Sequence, residues 1–260
     1  MMTGKNISIF WIAIALLLVT CKPPETSGKI SLKFAFQVDD TTFVTDQMAY
    51  SNASGNQYEV NEVKFFISDL KLNDSEGNII SVYDDNSIHY VDYDIASTLT
   101  WDIADDIPTG NYNSVSFTFG LSEAKNISNY FTNPPESNMS WPSYLGGGYH
   151  YMQINGKWLK DGVSTPFNFH TGIGQLYDGD SITAYVQNYF TVNLPVATFT
   201  IKEDASTIIQ CTMNINSWFT TPHDYNFNYW GGAIMQNQAA QEVIKENGVD
   251  VFSITFPQSK

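Results

Sequence analysis

The alternation of apolar and polar residues predicts an all-β protein: a single antiparallel β-sandwich with one short C-terminal helix. Three observations point there. Ile30, Leu32, Phe34, Phe36 and Val38 take every second position, the period of a strand with one face buried. Clusters of Asp, Asn, Ser, Gly and Pro punctuate the apolar runs throughout, and these residues favour turns. Only one stretch, Met235 to Asn247, repeats apolar residues at helical spacing. Many short strands with turn signals and a single helix make a sandwich.

In chain order, Val60 to Leu72 follows the first strand and ends at the turn cluster Asn73-Asp74-Ser75-Glu76-Gly77. Ile79 to Tyr83 and His89 to Tyr93 read as short strands around Asp84-Asp85-Asn86-Ser87. Pro108-Thr109-Gly110 turns into the alternating Val115, Phe117 and Phe119, and Asn126 to Pro135 is a polar loop. Next comes the segment of most chemical interest, Met139 to Thr171. Gly146-Gly147-Gly148 is a bend, because glycine enters conformations that a Cβ forbids. Asn155-Gly156 reads as a two-residue hairpin turn, with Tyr149 to Ile154 leading in and Lys157 to Lys160 leading out. Phe167 and Phe169 share one strand face, which sends His170 to the other. Ser181 to Asn193, Ala197 to Lys202 and Ile208 to Ile215 supply three more strands. In the helix, Ala239, Ala240, Val243 and Ile244 share a face and Asn247-Gly248 supplies the stop. Val249 to Phe256 is a final strand.

Ahead of the domain lies a leader. Lys5 precedes an uncharged apolar run, Ile7 to Thr20, too short to span a bilayer comfortably and of the length of a secretory core. Cys21 follows directly, as in a bacterial lipoprotein signal. Residues 1–20 are therefore read as the signal peptide, Cys21 as the lipidated first residue, 21–28 as the lipidated cysteine and its Pro/Ser/Gly tether, and 29–260 as one domain. The expected location is the bacterial cell envelope, on the periplasmic leaflet or the cell surface. Cys211 then has no disulfide partner. The formal charge of −15 argues against nucleic acid, which demands a basic face, and against adsorption to anionic lipid. Membrane attachment is left to the anchor alone.

Nothing in the chain announces catalysis. It has no G-x-S-x-G, H-E-x-x-H or Cys-x-x-Cys motif, and its paired carboxylates, Asp84/Asp85 and Asp105/Asp106, sit in turns. The expectation is a protein that is not an enzyme. Of the histidines, His89 and His223 read as exposed positions, and His150, between Tyr149 and Tyr151, as a strand residue open to solvent. His170 stands apart, followed by Gly172 and Gly174 and preceded on the same segment by Met139 and Trp141. Imidazole and thioether are donors for soft Cu(I), which brings in Met139, Met152 and Met235. Each methionine also has an ordinary use as core filler.

The order of motifs resembles the MbnP family, secreted proteins named for their link to methanobactin and copper handling. The residues that carry the resemblance are VKFFISDLKL (63–72), HYVDYD (89–94), IPTGNYNSVSFTFGL (107–121), MSWPSYLGGGYHYMQINGKW (139–158), FNFHTG (167–172) and the closing IMQN…IKENGVDVFSI (234–254). The resemblance implies an extracytoplasmic β-sandwich that binds copper. In related copper proteins one tryptophan is oxidised to kynurenine and helps hold Cu(I) beside histidines, and a dihaem peroxidase-like protein is the oxidant. Carried onto this chain, His170 matches the histidine of F-x-H-x-G and Trp141 the first tryptophan of M-F-W-x-W. Ser140 and Ser143 stand at the family's phenylalanine and second tryptophan. Residues 232–235, where some members carry a histidine, contain none, and Met235 is the soft donor there.

The leading expectation is a cell-envelope lipoprotein that binds copper without catalysis, with His170 as ligand, Trp141 lining the site or modified, and Met235 as thioether. The alternative is a surface interaction or glycan-binding module with a lost metal site, using the loop aromatics Tyr225, Tyr229 and Trp230.

Overall fold

The computed structural model describes residues 26–257. The leader, Cys21 and most of the tether lie outside the described residues. Among those described, no helix is long and apolar enough to cross a membrane. The principal strands are β1 (Ser27–Val38), β2 (Gln57–Asp74), β3 (Ile88–Asp92), β4 (Gly110–Phe119), β5 (Met152–Lys160), β6 (Val163–Thr171), β7 (Gly174–Asp178), β8 (Ser181–Val186), β9 (Phe190–Ile201), β10 (Ser206–Asn214) and β11 (Phe252–Thr255). A single turn of helix, α1 (Phe227–Trp230), precedes α2 (Gln238–Asn247).

Two sheets face one another. One runs β11-β10-β1 and the other β6-β5-β2-β4-β9, while β7 and β8 form a separate hairpin. The inner faces meet through aromatic rings: Phe34 of β1 against Phe65 of β2 at 6.0 Å, and Phe252 of β11 against Phe117 of β4 at 5.4 Å. Alternation along the strands decides which residues reach this core. Val63, Phe65, Ile154, Phe167 and Phe169 are all buried in it, as the strand period requires. Cys211 of β10 is sealed there too, and burial pushes its thiol up to about 12.

A second, smaller core lies outside the sandwich. Phe66 points away from the inter-sheet space and packs with Tyr90, Leu121, Met139, Tyr149 and Tyr151. The segment between β4 and β5 thus folds back as a cover over the outer face of the second sheet. That cover, and the sheet beneath it, frame the candidate site.

Several expectations are corrected. Asn155-Gly156 is not a turn: β5 runs straight through it, paired with β6 on one side and β2 on the other. Reversing the chain there would break two ladders at once. The register with β2 slips between Asn155 and Gly156, which is a β-bulge. A Cβ on Gly156 would stand 2.1 Å from the Glu59 carbonyl oxygen, so glycine is needed for close packing. The hairpin instead turns at Asp161-Gly162, both at positive φ (52° and 78°), the geometry that Asp-Gly favours.

The expected strand Ser181 to Asn193 is divided between β8 and β9, because buried Asn188 is drawn off to bond Gly172 and Gln241. Ala197 to Lys202 is not separate: β9 runs on to Ile201, with a register break between Pro195 and Phe199. The β1/β10 pair is parallel, within an otherwise antiparallel arrangement. The helix begins at Gln238 rather than Met235, since the Asn237 side chain caps it by accepting from the Ala240 N–H. The last strand is shortened to Phe252–Thr255 by a turn of 3₁₀ helix at Gly248–Asp250.

Candidate metal site beside Trp141

His170 reaches the outer face of β6, as strand alternation predicts, and lies opposite Gln153 of β5. Its Nε2 is 2.8 Å from Asn155 Oδ1. An amide oxygen only accepts, so Nε2 carries the proton and Nδ1 holds the lone pair. Burial, then neighbouring His150 and Lys64, push the ring's pKa down to about 3.

His150, on the same segment as Trp141 and His170, is a partner that the sequence reading did not assign as a ligand. It does not face solvent: only 6% of it is exposed. Gly146, Gly147 and Gly148 all take positive φ (116°, 69° and 78°) and bend the chain back on itself. Tyr149 then bridges to Ser140, and the His150 N–H donates to the Met139 carbonyl. The bend is held from outside by Ser128 Oγ, which accepts from the Gly148 N–H, and by Asn126 Oδ1, which accepts from that of Tyr149. Tyr149 and Tyr151 enter the second core, so His150 turns the other way, toward Trp141. The available signal was the pair of tyrosines flanking it: in a covered segment, the side opposite two buried rings need not be solvent. His150 Nδ1 lies 2.9 Å from the Met139 carbonyl and donates to it, leaving Nε2 free. Burial also lowers this ring's pKa.

Trp141, His150 and His170 make one continuous cluster. The indole meets the His150 ring edge-on at a centroid distance of 4.7 Å, and the two imidazoles lie perpendicular at 5.0 Å. Trp141 is buried, and its Nε1–H donates to the Leu145 carbonyl at 3.2 Å. Its ring lies against Gly172, where a Cβ would stand 2.6 Å from the indole. Met235 is half-buried and shares with His170 a cavity of about 290 Å³, lined also by Asn168, Ala233 and Gln236. Gln241 of α2 accepts from the Gly172 N–H and donates to the Met235 carbonyl, tying the methionine segment to the end of β6. Met139 and Met152 are core residues, as their ordinary use predicts.

The other histidines lie elsewhere. His89 is not an exposed residue; its ring is stacked between Trp101 and Phe34, at 5.1 and 5.6 Å, with Nε2 on the Thr98 carbonyl. His223 is in an exposed loop, paired with Glu246. The loop-aromatic patch is dispersed: Tyr225 is fully buried against Phe169 and Phe227, leaving Tyr229 as the chief outward ring. Among the described residues, no group of three or more His, Cys, Asp or Glu side chains could hold a metal ion. The two imidazoles have no carboxylate beside them as a third ligand.

Burial lowers the pKa values of His89, His150 and His170 together, and the consequence has a definite sign. Below the ordinary imidazole value the unfolded chain takes up protons that the folded one refuses. The stabilising contribution is complete above about pH 6.5 and drains away as pH falls, at His170 until about 3. The unfolding free energy of the metal-free protein is expected to fall between pH 6.5 and 5, by up to roughly 1.4 kcal/mol per pH unit for each such ring, read as a falling thermal midpoint. His170→Gln should flatten that slope, and an unchanged slope would contradict the assignment.

The fold is similar to that of the solved structure described as MbnP from Methylosinus trichosporium, with a TM-score of 0.53 and 14% identity, covering 89% of this chain and 99% of that one. No curated protein matches the chain. The family model for MbnP matches residues 27–237, and with the greater part of its length covered the chain belongs to the MbnP family.

Proposed function

We propose that this protein binds copper, as Cu(I), through His150 and His170, with Trp141 lining the site and Met235 available as a soft third donor. The observation that supports it most is the pairing of two buried, neutral imidazoles, each with one nitrogen engaged by a carbonyl oxygen and the other left with a lone pair. Metal-bound histidines are typically held in this way through the opposite ring nitrogen. Imidazole suits copper, thioether favours the cuprous ion, and a site without carboxylate ligands suits a singly charged guest. The second imidazole comes from the Gly-rich cover rather than from residues 232–235, so the lack of a histidine there does not leave His170 alone.

Function then follows from placement. The protein is read as a non-catalytic copper carrier of the bacterial cell envelope, tethered through lipidated Cys21. Trp141 is the residue at which oxidation to kynurenine would fall, and the dihaem peroxidase-like protein implied by the family resemblance is the corresponding partner. The test is a competition titration of purified protein with Cu(I) and a chromophoric chelator under reducing, oxygen-free conditions. One equivalent retained per chain is expected; complete loss of copper to a weak chelator would overturn the proposal.

A further inference from the structure

We propose that Asn155 and Glu62 are positioning residues that lock His170 in its Nε2–H tautomer and so reserve Nδ1 for the metal. The inference deepens the copper reading and rests on it for its functional meaning.

The arrangement begins with strand register. On the outer face of the second sheet, Glu62 of β2 lies opposite Asn155 of β5, and Lys64 opposite Gln153, which in turn faces His170 of β6. Direct cross-strand neighbours would therefore place Gln153, not Asn155, beside the histidine. The β5/β6 ladder runs in unbroken register here, while β2 carries the extra residue, Asn61, between the partners of Asn155 and Gly156; a diagonal neighbour two residues along the facing strand is still within side-chain reach. Asn155 reaches diagonally, with Nδ2 2.5 Å from Glu62 Oε2 and Oδ1 2.8 Å from His170 Nε2. Gly156 permits the bulge, since any Cβ there would run into the Glu59 carbonyl.

Donor and acceptor chemistry then runs in one direction only. A carboxylate accepts and cannot donate, so the end of the Asn155 amide facing Glu62 must be its NH₂. The opposite end is the carbonyl oxygen, which can only accept, so His170 must present Nε2–H. Lys64 pairs with the other carboxylate oxygen, Oε1, leaving Oε2 to the amide. The chain Lys64–Glu62–Asn155–His170 thus carries the orientation of one charged pair into the proton position of a neutral ring. Without it, an imidazole exchanges between tautomers, and one of the two would direct an N–H where the metal needs a lone pair.

The test uses the full mature domain in metal-free form, with the His170 tautomer read from nitrogen–proton couplings by NMR and Cu(I) affinity read by chelator competition. Wild type is expected to show Nε2–H alone. Asn155→Leu should give a mixture of tautomers and bind Cu(I) about 10–100-fold more weakly, the usual range for loss of such a partner. Glu62→Leu, which frees the amide to flip, should shift the tautomer in the same direction and serves if Asn155→Leu does not fold. Glu62→Gln is nearly isosteric but has one oxygen for two donors, Lys64 and the Asn155 amide; it should also shift the tautomer, which a purely steric role for Glu62 would not produce. Wild-type tautomer and affinity in both leucine variants would overturn the inference while leaving copper binding intact. If wild type itself retains no Cu(I), the copper reading falls, and the tautomer comparison in metal-free protein still decides the lock.

Discussion

Alanine at His150 is expected to weaken Cu(I) binding by at least about 100-fold, roughly 2.7 kcal/mol, and alanine at His170 by a similar factor. Each ring supplies one of two nitrogen donors, and losing a ligand should exceed the 10–100-fold cost of losing a ligand's hydrogen-bond partner. His150 is the more informative position. It lies outside the F-x-H-x-G motif and on the cover rather than the sheet, so a matching loss in both variants would establish that cover and sheet share one ion. Met235→Leu is nearly isosteric and removes only the thioether. A change under about tenfold there would place sulfur in a secondary role, whereas a loss equal to that of His150→Ala would make the site a three-donor one. Affinity unchanged in His150→Ala would remove the paired-imidazole site altogether. The variant should stay folded: it forgoes one hydrogen bond to the Met139 carbonyl, a loss on the order of 1–3 kcal/mol.

Phe119→Ala is expected to produce the largest loss of stability, about 3–5 kcal/mol. Its ring lies 5.6 Å from Phe65, 5.2 Å from Phe190, 5.0 Å from Trp218 and 5.7 Å from Phe252. With Phe119 itself on β4, these rings come from three strands of one sheet, from β11 of the facing sheet and from the 3₁₀ turn that follows β10. Truncation would leave a cavity at the junction of all of these elements, with rigid aromatic walls that relax little. Against a typical total of roughly 5–15 kcal/mol, such a loss lowers the unfolding midpoint by roughly 6–20 °C for a domain of this size. Calorimetry of the metal-free variant measures it. A shift of a degree or two would mean that the sheets are held together elsewhere. Copper affinity at a temperature where the variant remains folded should be unchanged, since the site lies on the opposite face of the sheet.

What the sequence disclosed depended on how local the deciding physics was. Strand alternation is local, and it placed Phe167 and Phe169 inward and His170 outward. Turn chemistry is local too, but Asn155-Gly156 and Asp161-Gly162 carry equivalent signals five to seven residues apart, and only pairing with β2 selects between them. The strand break at Asn188 is set by a hydrogen-bonded contact with α2, far along the chain. The parallel β1/β10 pair joins segments near opposite ends of the domain, beyond any periodicity argument. At the site, Trp141 is joined to His170 through the His150 ring, and Met235 shares a cavity with His170. His150, Asn155 and Glu62 were hidden for a common reason: the role of each comes from a neighbour on another strand or on the folded-back cover.

The sealing of Cys211 in the inter-sheet core bears on metal selectivity. A thiolate is a stronger trap for cuprous ion than imidazole or thioether, and here it is withheld twice, by enclosure and by a thiol that keeps its proton. An ion bound at the proposed His150/His170 site would therefore meet exchangeable, uncharged donors while the domain is intact. Denaturation reverses this preference, because the released sulfur competes for the same cargo and would hold the chain open. On the copper-binding reading, selectivity is thus a property of the packed molecule as a whole, conferred by a residue kept away from the ion.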